Sequence, residues 1–556
     1  MPLSTRTIWQ ERRAIGWYLA RMRGLVKQEF DYVIVGGGSA GCALANRLTA
    51  NGRFRVLLIE AGPDRESFWV RTPAGVPFLY SNKQINWMYS SSEEPNLGGR
   101  KIFQPRGKLL GGTSAINGMV YVRGNSGDYD TWQERGNRGW SSADTLPYFR
   151  RMETNLDFQD EYHGTTGPLR VSGARYRIPV VDAFVDAGVS AGHYRNPDPN
   201  GARQDGMAHY QFSIDGGVRN SAARAFLRDA RRRPNLTILD QATVISLVIE
   251  RGSVVGARYE RGGNTHEVRA KEVLLSGGAI NSPQLLMLSG IGPGAELEAC
   301  GIPVVHDLPG VGQNLQDHLS IALNYETRPG MSLNAALSGP QKYMNGVRYL
   351  LTKSGPLSLG TSQACAFLRT DPNARLPDIQ ISFRAWSFDF AGGRLKMHKF
   401  PGVQAVAILL HPESSGAIRL DRNNPRGPPV IQMNYLSSPS DVEVMVRGIR
   451  AMRSIAATRT FQNVMIREMA PGRTRDSAAD LTDYIRQNAQ SVYHPIGTCM
   501  MGQGPDAVVD ERLRVHGVPG VRVIDASIMP TITSANTNAP TMMIGERASD
   551  LVLEDA

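Results

Sequence analysis

A short apolar run followed by a glycine turn marks the first unit that the hydrophobic pattern predicts. Residues 31–35 are mostly apolar and β-branched, which is typical of a buried strand. A glycine-rich turn follows over residues 36–41, residues 42–48 predict a helix, and residues 55–60 predict a second strand. The pattern therefore predicts strand, turn, helix and strand in immediate succession.

Two further strand-like runs lie far downstream of this unit. Residues 273–279 predict a strand that enters a glycine turn, and residues 521–526 predict another strand near the C-terminus. We therefore expect one α/β domain assembled from three separated stretches of the chain, namely 30–150, 220–325 and 480–556.

The intervening stretches have a different pattern. Apolar and polar residues alternate over 378–383, which predicts a strand, and residues 441–457 have the apolar spacing of an amphipathic helix. Residues 151–219 and 326–479 therefore predict a second, α+β domain, in which helices back an antiparallel sheet. This second domain would be inserted into the first.

Composition and charge narrow the class of protein without naming a function. The 556 residues, 41% hydrophobic and 20% charged, are enough for several domains and exclude wholesale disorder. The net charge of +11 is uneven, because six bases stand within a predicted N-terminal extension, residues 1–29. Elsewhere the signs are interspersed, so no nucleic-acid partner is expected. No apolar run is long enough to predict a membrane-spanning helix.

The predicted extension has two interpretations. Residues 5–27 have the composition of a basic helix that carries Trp9, Trp17 and Tyr18, which would suit weak association with a membrane surface. A helical extension without that role is the interpretation that the sequence favours.

Cysteine and histidine spacing gives no indication of a metal site. The four cysteines form neither metal-binding nor disulfide spacing, which suits a reducing compartment. We therefore expect a cytoplasmic protein, while a membrane-peripheral or periplasmic location stays open. Apart from His494, which is treated below, the histidines, His318 among them, are expected on the surface or in the core.

The first glycine turn has the spacing G-x-G-x-x-G between a strand and a helix, as dinucleotide binding requires. Gly36 permits the tight turn, Gly38 lets a pyrophosphate approach the backbone, and Gly41 lets helix and strand pack closely. The helix N-terminus faces the phosphates with its positive dipole end. Glu60, at the end of the second strand, is placed to accept ribose hydroxyls. This fingerprint alone leaves FAD and NAD open.

Four further motifs, in order along the chain, resemble those of one flavoprotein family. They are residues 107–117 (GKLLGGTSAIN), 278–292, 491–499 (SVYHPIGTC) and 536–541 (NTNAPT). The first two are similar to the signature motifs of the glucose–methanol–choline (GMC) oxidoreductases, the third to the segment with the catalytic histidine, and the fourth to the flavin-contacting turn. The resemblance covers residues 30–556. It implies the GMC fold, in which a Rossmann-like α/β FAD-binding domain joins an α+β substrate domain.

The resemblance also implies a reaction, namely oxidation of an alcohol to the aldehyde by hydride transfer to flavin N5. His494 would accept the hydroxyl proton, because imidazole titrates near neutral pH. The amide of Asn536 would orient the alcohol oxygen. Oxygen, a quinone or a redox protein would then take the electrons. The residues expected to bind FAD are Gly36, Gly38, Ser39, Ala40, Gly41, Glu60, Gly112, Asn117, Gly118, Met119, Val120, Val244, Asp525, Ala526, Thr537 and Asn538.

Two departures from the family pattern bear on cofactor and substrate. Ile116 stands where members with covalent FAD carry a histidine, so we expect FAD to be held without a covalent bond. Ser320 stands where choline-oxidising members place an acid, so we expect a primary, non-cationic alcohol. The alternatives are a lyase or photodecarboxylase on the same fold, or a non-catalytic flavin-binding module. The presence of His494 with Asn536 favours alcohol oxidation.

The substrate face is indicated by alternation over residues 379–388. Period-two spacing puts Arg384, Trp386 and Phe388 on one side of this run and its aliphatic residues on the other. If the first side lines the cavity together with Tyr493, acid-bearing alcohols become plausible substrates. The alternative is a surface arginine beside core aromatics.

Overall fold

The computed structural model describes residues 29–391 and 394–556. The predicted extension 1–29, with its suggested membrane contact through residues 5–27, lies outside the described residues except for Glu29. Among the residues described, no helix is both long and apolar enough to cross a bilayer.

The strands of the described chain are numbered in chain order. They are β1 (Phe30–Val35), β2 (Val56–Ile59), β3 (Tyr89–Glu94), β4 (Arg100–Gln104), β5 (Val120–Tyr121), β6 (Glu153–Asn155), β7 (Leu169–Gly173), β8 (Gly206–His209), β9 (Gln211–Phe212), β10 (Ile214–Asp215), β11 (Val218–Arg219), β12 (Leu236–Leu239), β13 (Thr243–Glu250), β14 (Ser253–Arg261), β15 (Asn264–Leu275), β16 (Ile291–Gly292), β17 (His306–Asp307), β18 (Leu319–Thr327), β19 (Ala364–Leu368), β20 (Ile379–Arg384), β21 (Phe388–Ala391), β22 (Arg394–Met397), β23 (Gly402–Leu409), β24 (Ala417–Arg419), β25 (Val430–Gln432), β26 (Met465–Ala470), β27 (Gln490–Ser491) and β28 (Val521–Val523).

The α-helices are numbered in the same way. They are α1 (Ser39–Leu48), α2 (Phe68–Arg71), α3 (Val76–Tyr80), α4 (Ser126–Glu134), α5 (Ser142–Met152), α6 (Pro179–Ser190), α7 (Ala222–Ala230), α8 (Gly278–Leu288), α9 (Gly294–Ala299), α10 (Gln341–Thr352), α11 (Pro439–Ala457), α12 (Arg459–Gln462), α13 (Ala478–Asn488) and α14 (Asn538–Glu554).

The first large sheet is the predicted α/β unit. Strands β12, β2, β1, β15 and β28 run parallel, and the first half of β15 also pairs with the antiparallel hairpin β13–β14. Val33 and Ile34 on β1 are fully buried, as expected for a central strand covered on both faces. The C-terminal ends of β1, β2, β15 and β28 meet at one edge, which is where ligands bind in sheets of this type.

Helices α1, α5 and α14 pack together beside this sheet. Glu546 on α14 is buried and accepts hydrogen bonds from Arg47 on α1 at 2.8 Å and from Arg151 on α5 at 2.7 Å. Two guanidinium groups therefore compensate the charge of one buried carboxylate and hold helix α14 against helices α1 and α5.

The second large sheet is antiparallel, with strand order β26-β18-β23-β20-β19-β8, and β27 also pairs with β18. On β20 the side chains of Ile379, Ile381 and Phe383 are fully buried, and helix α11 packs against this strand. The alternate residues of β20 face a cavity. The predicted combination of an α/β unit with an antiparallel-sheet unit is therefore confirmed.

The strand β18 crosses an expected boundary. The predicted stretch 220–325 assigns most of Leu319–Thr327 to the FAD-binding unit, but the strand lies in the antiparallel sheet between β23 and β26. Its apolar residues predict a buried strand, but they do not say which sheet it joins, because that depends on partners that follow later in the chain.

The sequence predicts one helix from about Ser282 and a last helix that opens at Pro540, and both helices begin earlier in the structure. Helix α8 begins at Gly278 rather than near Ser282, because the carboxylate of Asp525 accepts hydrogen bonds from the Gly278 N–H and the Ser282 hydroxyl. Helix α14 begins at Asn538, before the proline at which we expected it to start. In both cases the first helical turn is extended towards the cavity.

Candidate active site

The cavity lies between the C-terminal edge of the parallel sheet and one face of the antiparallel sheet, and its volume is about 1350 Å³. Pockets for single small molecules are typically about 300–1,000 Å³, so there is room for a dinucleotide and a substrate. The predicted site residues that line it are Gly36, Gly38, Ser39, Ala40, Glu60, Gly112, Asn117, Gly118, Met119, Val120, Val244, Asp525, Ala526, Thr537, Asn538, Arg384, Trp386, Tyr493, His494 and Asn536.

The glycine turn after β1 fits a phosphate group. Gly36 has φ +104°, and a Cβ there would lie 2.4 Å from the carbonyl oxygen of Ser276. A Cβ at Gly38 would meet only that same oxygen, at 3.8 Å, and would otherwise occupy the open cavity. Gly38 therefore leaves the space that a close-approaching phosphate needs.

Gly41, which we expected among the cofactor-binding residues, does not line the cavity. A Cβ at this position would lie 2.0 Å from the carbonyl oxygen of Gly36. Its role is therefore to let helix α1 pack closely on the turn, and we correct the expectation of a direct cofactor contact.

Glu60 stands at the end of β2, where an acid was expected to accept ribose hydroxyls. Its Oε2 accepts the N–H of Gly37 at 2.9 Å, and its Oε1 accepts the N–H of Gly62 at 2.8 Å. Burial raises the pKa of Glu60 to about 7, although both N–H groups oppose the rise. Each oxygen keeps a lone pair for a hydroxyl donor.

Three helix N-termini lie at the wall of the cavity. The first residues of α1, α8 and α14 are Ser39, Gly278 and Asn538, and all three line it. Such ends carry unpaired N–H groups and partial positive charge, which suits phosphates and an anionic ring. Residues 278–282, at the start of the second signature motif, also line the cavity directly.

The side chains of His494 and Asn536 lie next to each other in the cavity. The side-chain nitrogen Nδ2 of Asn536 lies 3.0 Å from Nε2 of His494. The backbone N–H of His494 donates to Oδ1 of Asp317 at 2.7 Å, and Ser491 and Tyr435 donate to the other oxygen of Asp317, each at 2.5 Å. Asp317 therefore fixes the backbone from which the imidazole projects.

His318 is a second buried histidine that the sequence did not identify as part of the site. Its Nε2 lies 3.1 Å from the carbonyl oxygen of Leu410, and its Nδ1 lies 2.9 Å from Nδ1 of His494. A carbonyl can only accept, so Nε2 of His318 carries the proton and Nδ1 is the acceptor. His494 must then donate from Nδ1, which leaves the lone pair of its Nε2 facing Asn536 and the cavity.

Both histidines are neutral at physiological pH. Burial, His318 and Arg106 together lower the pKa of His494 well below its usual value of 6.5. Burial, with His411 as a further cause, lowers the pKa of His318 to about 3. His494 is therefore unprotonated on Nε2, where its lone pair accepts the N–H of the Asn536 amide.

Two arginines stand at the substrate end of the cavity. Arg106 donates to the carbonyl oxygen of Tyr493 at 2.5 Å; burial lowers the pKa of Arg106, and the nearby Asp317 carboxylate opposes part of this lowering. Arg384 lies on the cavity face of β20, with its guanidinium over the ring of Phe388, which is the arrangement of the first of the two interpretations of the alternation.

Another group of potential metal ligands lies outside the cavity. His163 Nδ1 is 2.8 Å from Asp160, and its Nε2 is 3.4 Å from Asp198. The spacing of these residues gave no sign of the cluster. Both ring nitrogens face a carboxylate, which is an ion-pair arrangement, and we assign no metal to it.

A dinucleotide cradle and a neutral histidine in one cavity define a cofactor-dependent oxidoreductase. The chain belongs to the GMC oxidoreductase family, since two models with that description match residues 30–320 and 412–545. It is 39% identical to an oxygen-dependent choline dehydrogenase of Vibrio vulnificus, over 95% of each chain. It is 40% identical to an alcohol dehydrogenase [acceptor] of Pseudomonas putida, over 94% of this chain and 96% of that one.

Solved structures give the same family. Pyridoxine 4-oxidase from Mesorbium loti superposes with a TM-score of 0.85 at 32% identity, over 95% of this chain and 99% of that one. The predictions of the GMC fold, of FAD as cofactor and of an enzyme acting on CH–OH groups are thereby confirmed. The roles of the individual site residues stay predictions.

Proposed function

We propose that this enzyme oxidises a primary, non-cationic alcohol to the aldehyde, with His494 as the base. The observation that supports this most directly is the pairing of His494 Nε2 with the Asn536 amide at 3.0 Å inside the cavity. A neutral imidazole can accept a proton and an amide can donate a hydrogen bond, so together they can hold and deprotonate one hydroxyl group.

The chain's own residues would handle the proton in this reaction. The alcohol would replace the direct contact between Asn536 and His494, so that its hydroxyl group donates to His494 Nε2 and its oxygen accepts from the Asn536 amide, which stabilises the charge that develops on oxygen. His494 Nε2 would take the hydroxyl proton, while His318 holds the imidazole in the required tautomer. FAD, when bound, supplies the acceptor for the hydride that leaves the adjacent carbon.

The charges of the cavity support a non-cationic substrate. Ser320 lines the cavity and donates to the carbonyl oxygen of Gln490, so no carboxylate stands at that position. Among the described lining residues the acids are Glu60 and Asp525 near the cofactor motifs and Asp389, which pairs with His398 and is largely exposed. Glu60 and Asp525 are buried, but they stand at the cofactor motifs, so a cation held beside Ser320 would find no carboxylate at that position.

The proposal also covers how FAD is attached, which molecule accepts its electrons and in which cellular compartment the enzyme acts. Ile116 is fully buried and has no nucleophilic atom, so FAD would be held without a covalent bond. The electron acceptor would be oxygen, a quinone or a redox protein; one relative is named oxygen-dependent and another is named for an acceptor. All four cysteines are free, which supports the cytoplasm as the compartment.

The test is anaerobic reduction of the bound flavin by a panel of primary alcohols. Bleaching of the visible flavin absorbance, with formation of the matching aldehyde, is the expected result. Reoxidation is then followed separately with oxygen and with an artificial quinone. A flavin that no alcohol of the panel bleaches, although dithionite reduces it, would contradict the proposal and favour a non-redox member of the fold.

A further inference from the structure

Arg384 is an interior cation that has no acidic partner among the described residues. Its Nε donates to the Ser362 hydroxyl at 3.2 Å and its Nη1 to the Gln404 side-chain oxygen at 3.4 Å. Both acceptors are neutral. No hydrogen bond of its Nη2 is recorded within the described ranges, and the side chain lines the cavity. The guanidinium therefore offers a free donor edge to whatever enters.

The other interior cation of the cavity is already compensated. Arg106 donates to two backbone carbonyl groups, those of Pro105 and Tyr493, and the Asp317 carboxylate acts on it electrostatically. The groups that act on Arg384 are instead the phenols of Tyr493, Tyr210 and Tyr80, whose own pKa values are raised by burial, so they are neutral.

The surroundings of Arg384 also indicate the shape of a ligand. Trp386 and Phe388 also line the cavity, with ring centroids 4.6 Å apart, and the Arg384 guanidinium lies 5.5 Å from the Phe388 centroid. The Trp386 indole N–H donates to the Thr361 carbonyl oxygen, which fixes the ring. An anion on this arginine would thus stand beside a fixed aromatic surface.

We propose that Arg384 binds the carboxylate of an alcohol substrate whose hydroxyl group is held by His494 and Asn536. Burying an unpaired charge is unfavourable, and a planar carboxylate is the group that a guanidinium edge pairs with best. The substrate class is then a hydroxy acid with a flat or apolar spacer between its two ends. This inference rests on the proposed oxidation of a primary alcohol and names its substrate.

The test compares 4-(hydroxymethyl)benzoate with its neutral match, 4-(hydroxymethyl)benzamide, in anaerobic flavin reduction by the holoenzyme. The natural sequence should favour the acid in kcat/KM by about 10- to 100-fold, as expected for hydrogen bonds to a charged group. In Arg384→Gln the ratio of kcat/KM for the acid to that for the amide should fall to about one, whereas Arg384→Lys should keep part of the preference for the acid.

A binding experiment separates the subsite from the chemistry. The probe is 4-methylbenzoate, which has no hydroxyl group to oxidise, and its binding is followed by the change in the visible spectrum of the bound flavin. Arg384→Gln should weaken this binding by about 10- to 100-fold. The matched control is Arg467→Gln, which removes the same charge from an exposed arginine on β26 that pairs with Glu326, and it should bind as the natural sequence does.

Each outcome decides one proposal. Equal kcat/KM for acid and amide, with 4-methylbenzoate bound equally by the natural sequence and Arg384→Gln, would overturn the carboxylate subsite while the oxidation stands. Arg384-dependent binding of 4-methylbenzoate without bleaching by either alcohol would support the subsite and contradict the proposed oxidation.

Discussion

At the scale of single residues, the reactivity of His494 is set by partners that lie far from it in the sequence. His318 accepts its Nδ1 proton, and Asp317 accepts its backbone N–H. The ring is therefore held in one tautomer and one orientation before substrate arrives. A base prepared in this way needs no rearrangement at the moment of proton transfer.

We predict that His494→Ala slows flavin reduction by at least ~10²-fold, because removal of a general base typically costs 10²–10⁴-fold. FAD should stay bound, since the cradle lies elsewhere in the cavity. Asn536→Ala should lose less in rate and more in apparent alcohol affinity. Stopped-flow reduction measures both, with His209→Ala, an exposed histidine, as the control. Near-normal reduction in His494→Ala with FAD bound would move the base to another residue.

His318 is a positioning residue, and its role is tested by a pair of variants. His318→Leu removes the acceptor for the His494 Nδ1 proton, so the rate of flavin reduction should fall by about tenfold or more. His318→Gln keeps an acceptor oxygen and should restore part of the rate. A merely structural role would give the same loss in both variants, with thermal stability falling in parallel.

The pH dependence of kcat/KM is an independent test of the contact between His318 and His494. The pKa of His494 is lowered below 6.5, so kcat/KM should be level above that pH and should fall only as acid protonates Nε2. In His318→Leu one cause of the lowering is gone, so the acid limb should move to higher pH. An acid limb above pH 6.5 in the natural sequence would contradict the neutral histidine.

At this scale the sequence predicted much of the site and missed one part of it. His494 and Asn536 were identified because they stand in recognisable motifs, and the structure places them 3.0 Å apart. His318 was seen only as one histidine among others, because a side-chain contact across such a separation leaves no local pattern.

At the scale of elements, two glycines in the turn between β1 and α1 have different roles. Gly36 serves the fold, because its φ is +104° and a side chain would collide with the Ser276 carbonyl oxygen. Gly38 has φ −82° and no such collision, so it serves the ligand.

We therefore predict opposite results for two alanine variants of this turn. Gly38→Ala should fold normally, with the unfolding temperature of the FAD-free protein unchanged, but should retain much less FAD because the new methyl group stands in the cavity. Gly36→Ala should lower the stability of the FAD-free protein as well. The ratio of visible to ultraviolet absorbance, with thermal unfolding, measures both. Normal FAD content in Gly38→Ala would refute the assignment.

The order and type of the principal elements could be predicted, but their starting points could not. Residues 31–35 and 55–60 carry strong apolar patterns, and both contain the expected strands. The start of α8 at Gly278 depends on a carboxylate from Asp525, which the local sequence does not contain. The first residue of a helix therefore depends on capping groups from elsewhere in the fold, which local helix propensity does not include.

At the scale of the whole molecule, the cavity lies between two units that supply positive charge from different sources. The parallel-sheet edge presents helix N-termini, and the antiparallel sheet presents Arg384 beside neutral polar groups such as Gln404 and Ser362. Positive potential therefore acts on the cavity from both sides, which suits an anionic cofactor and an uncharged or anionic substrate.

Choline should accordingly be a poor substrate, although several relatives are named choline dehydrogenases. We expect 3,3-dimethyl-1-butanol, which has the same shape without the charge, to exceed choline in kcat/KM by roughly tenfold or more, because an unpaired cation loses its hydration without compensation. Competition kinetics in air and under an artificial acceptor measure the ratio. Equal values would show that the cavity holds a partner for the ammonium group.

The parallel sheet also has a consequence for synthesis of the chain on the ribosome. Strand β1 ends at Val35, but its neighbour β15 pairs with it only from Ala270 onwards, and β28 begins at Val521. At roughly 5–20 residues per second, one edge of β1 waits about 10 to 50 s for β15. An apolar strand with an open edge is prone to wrong pairing during that interval. The edge of β1 is covered once β15 has emerged, whereas the sheet is complete only after Val521–Val523 has been synthesised and has paired with β15.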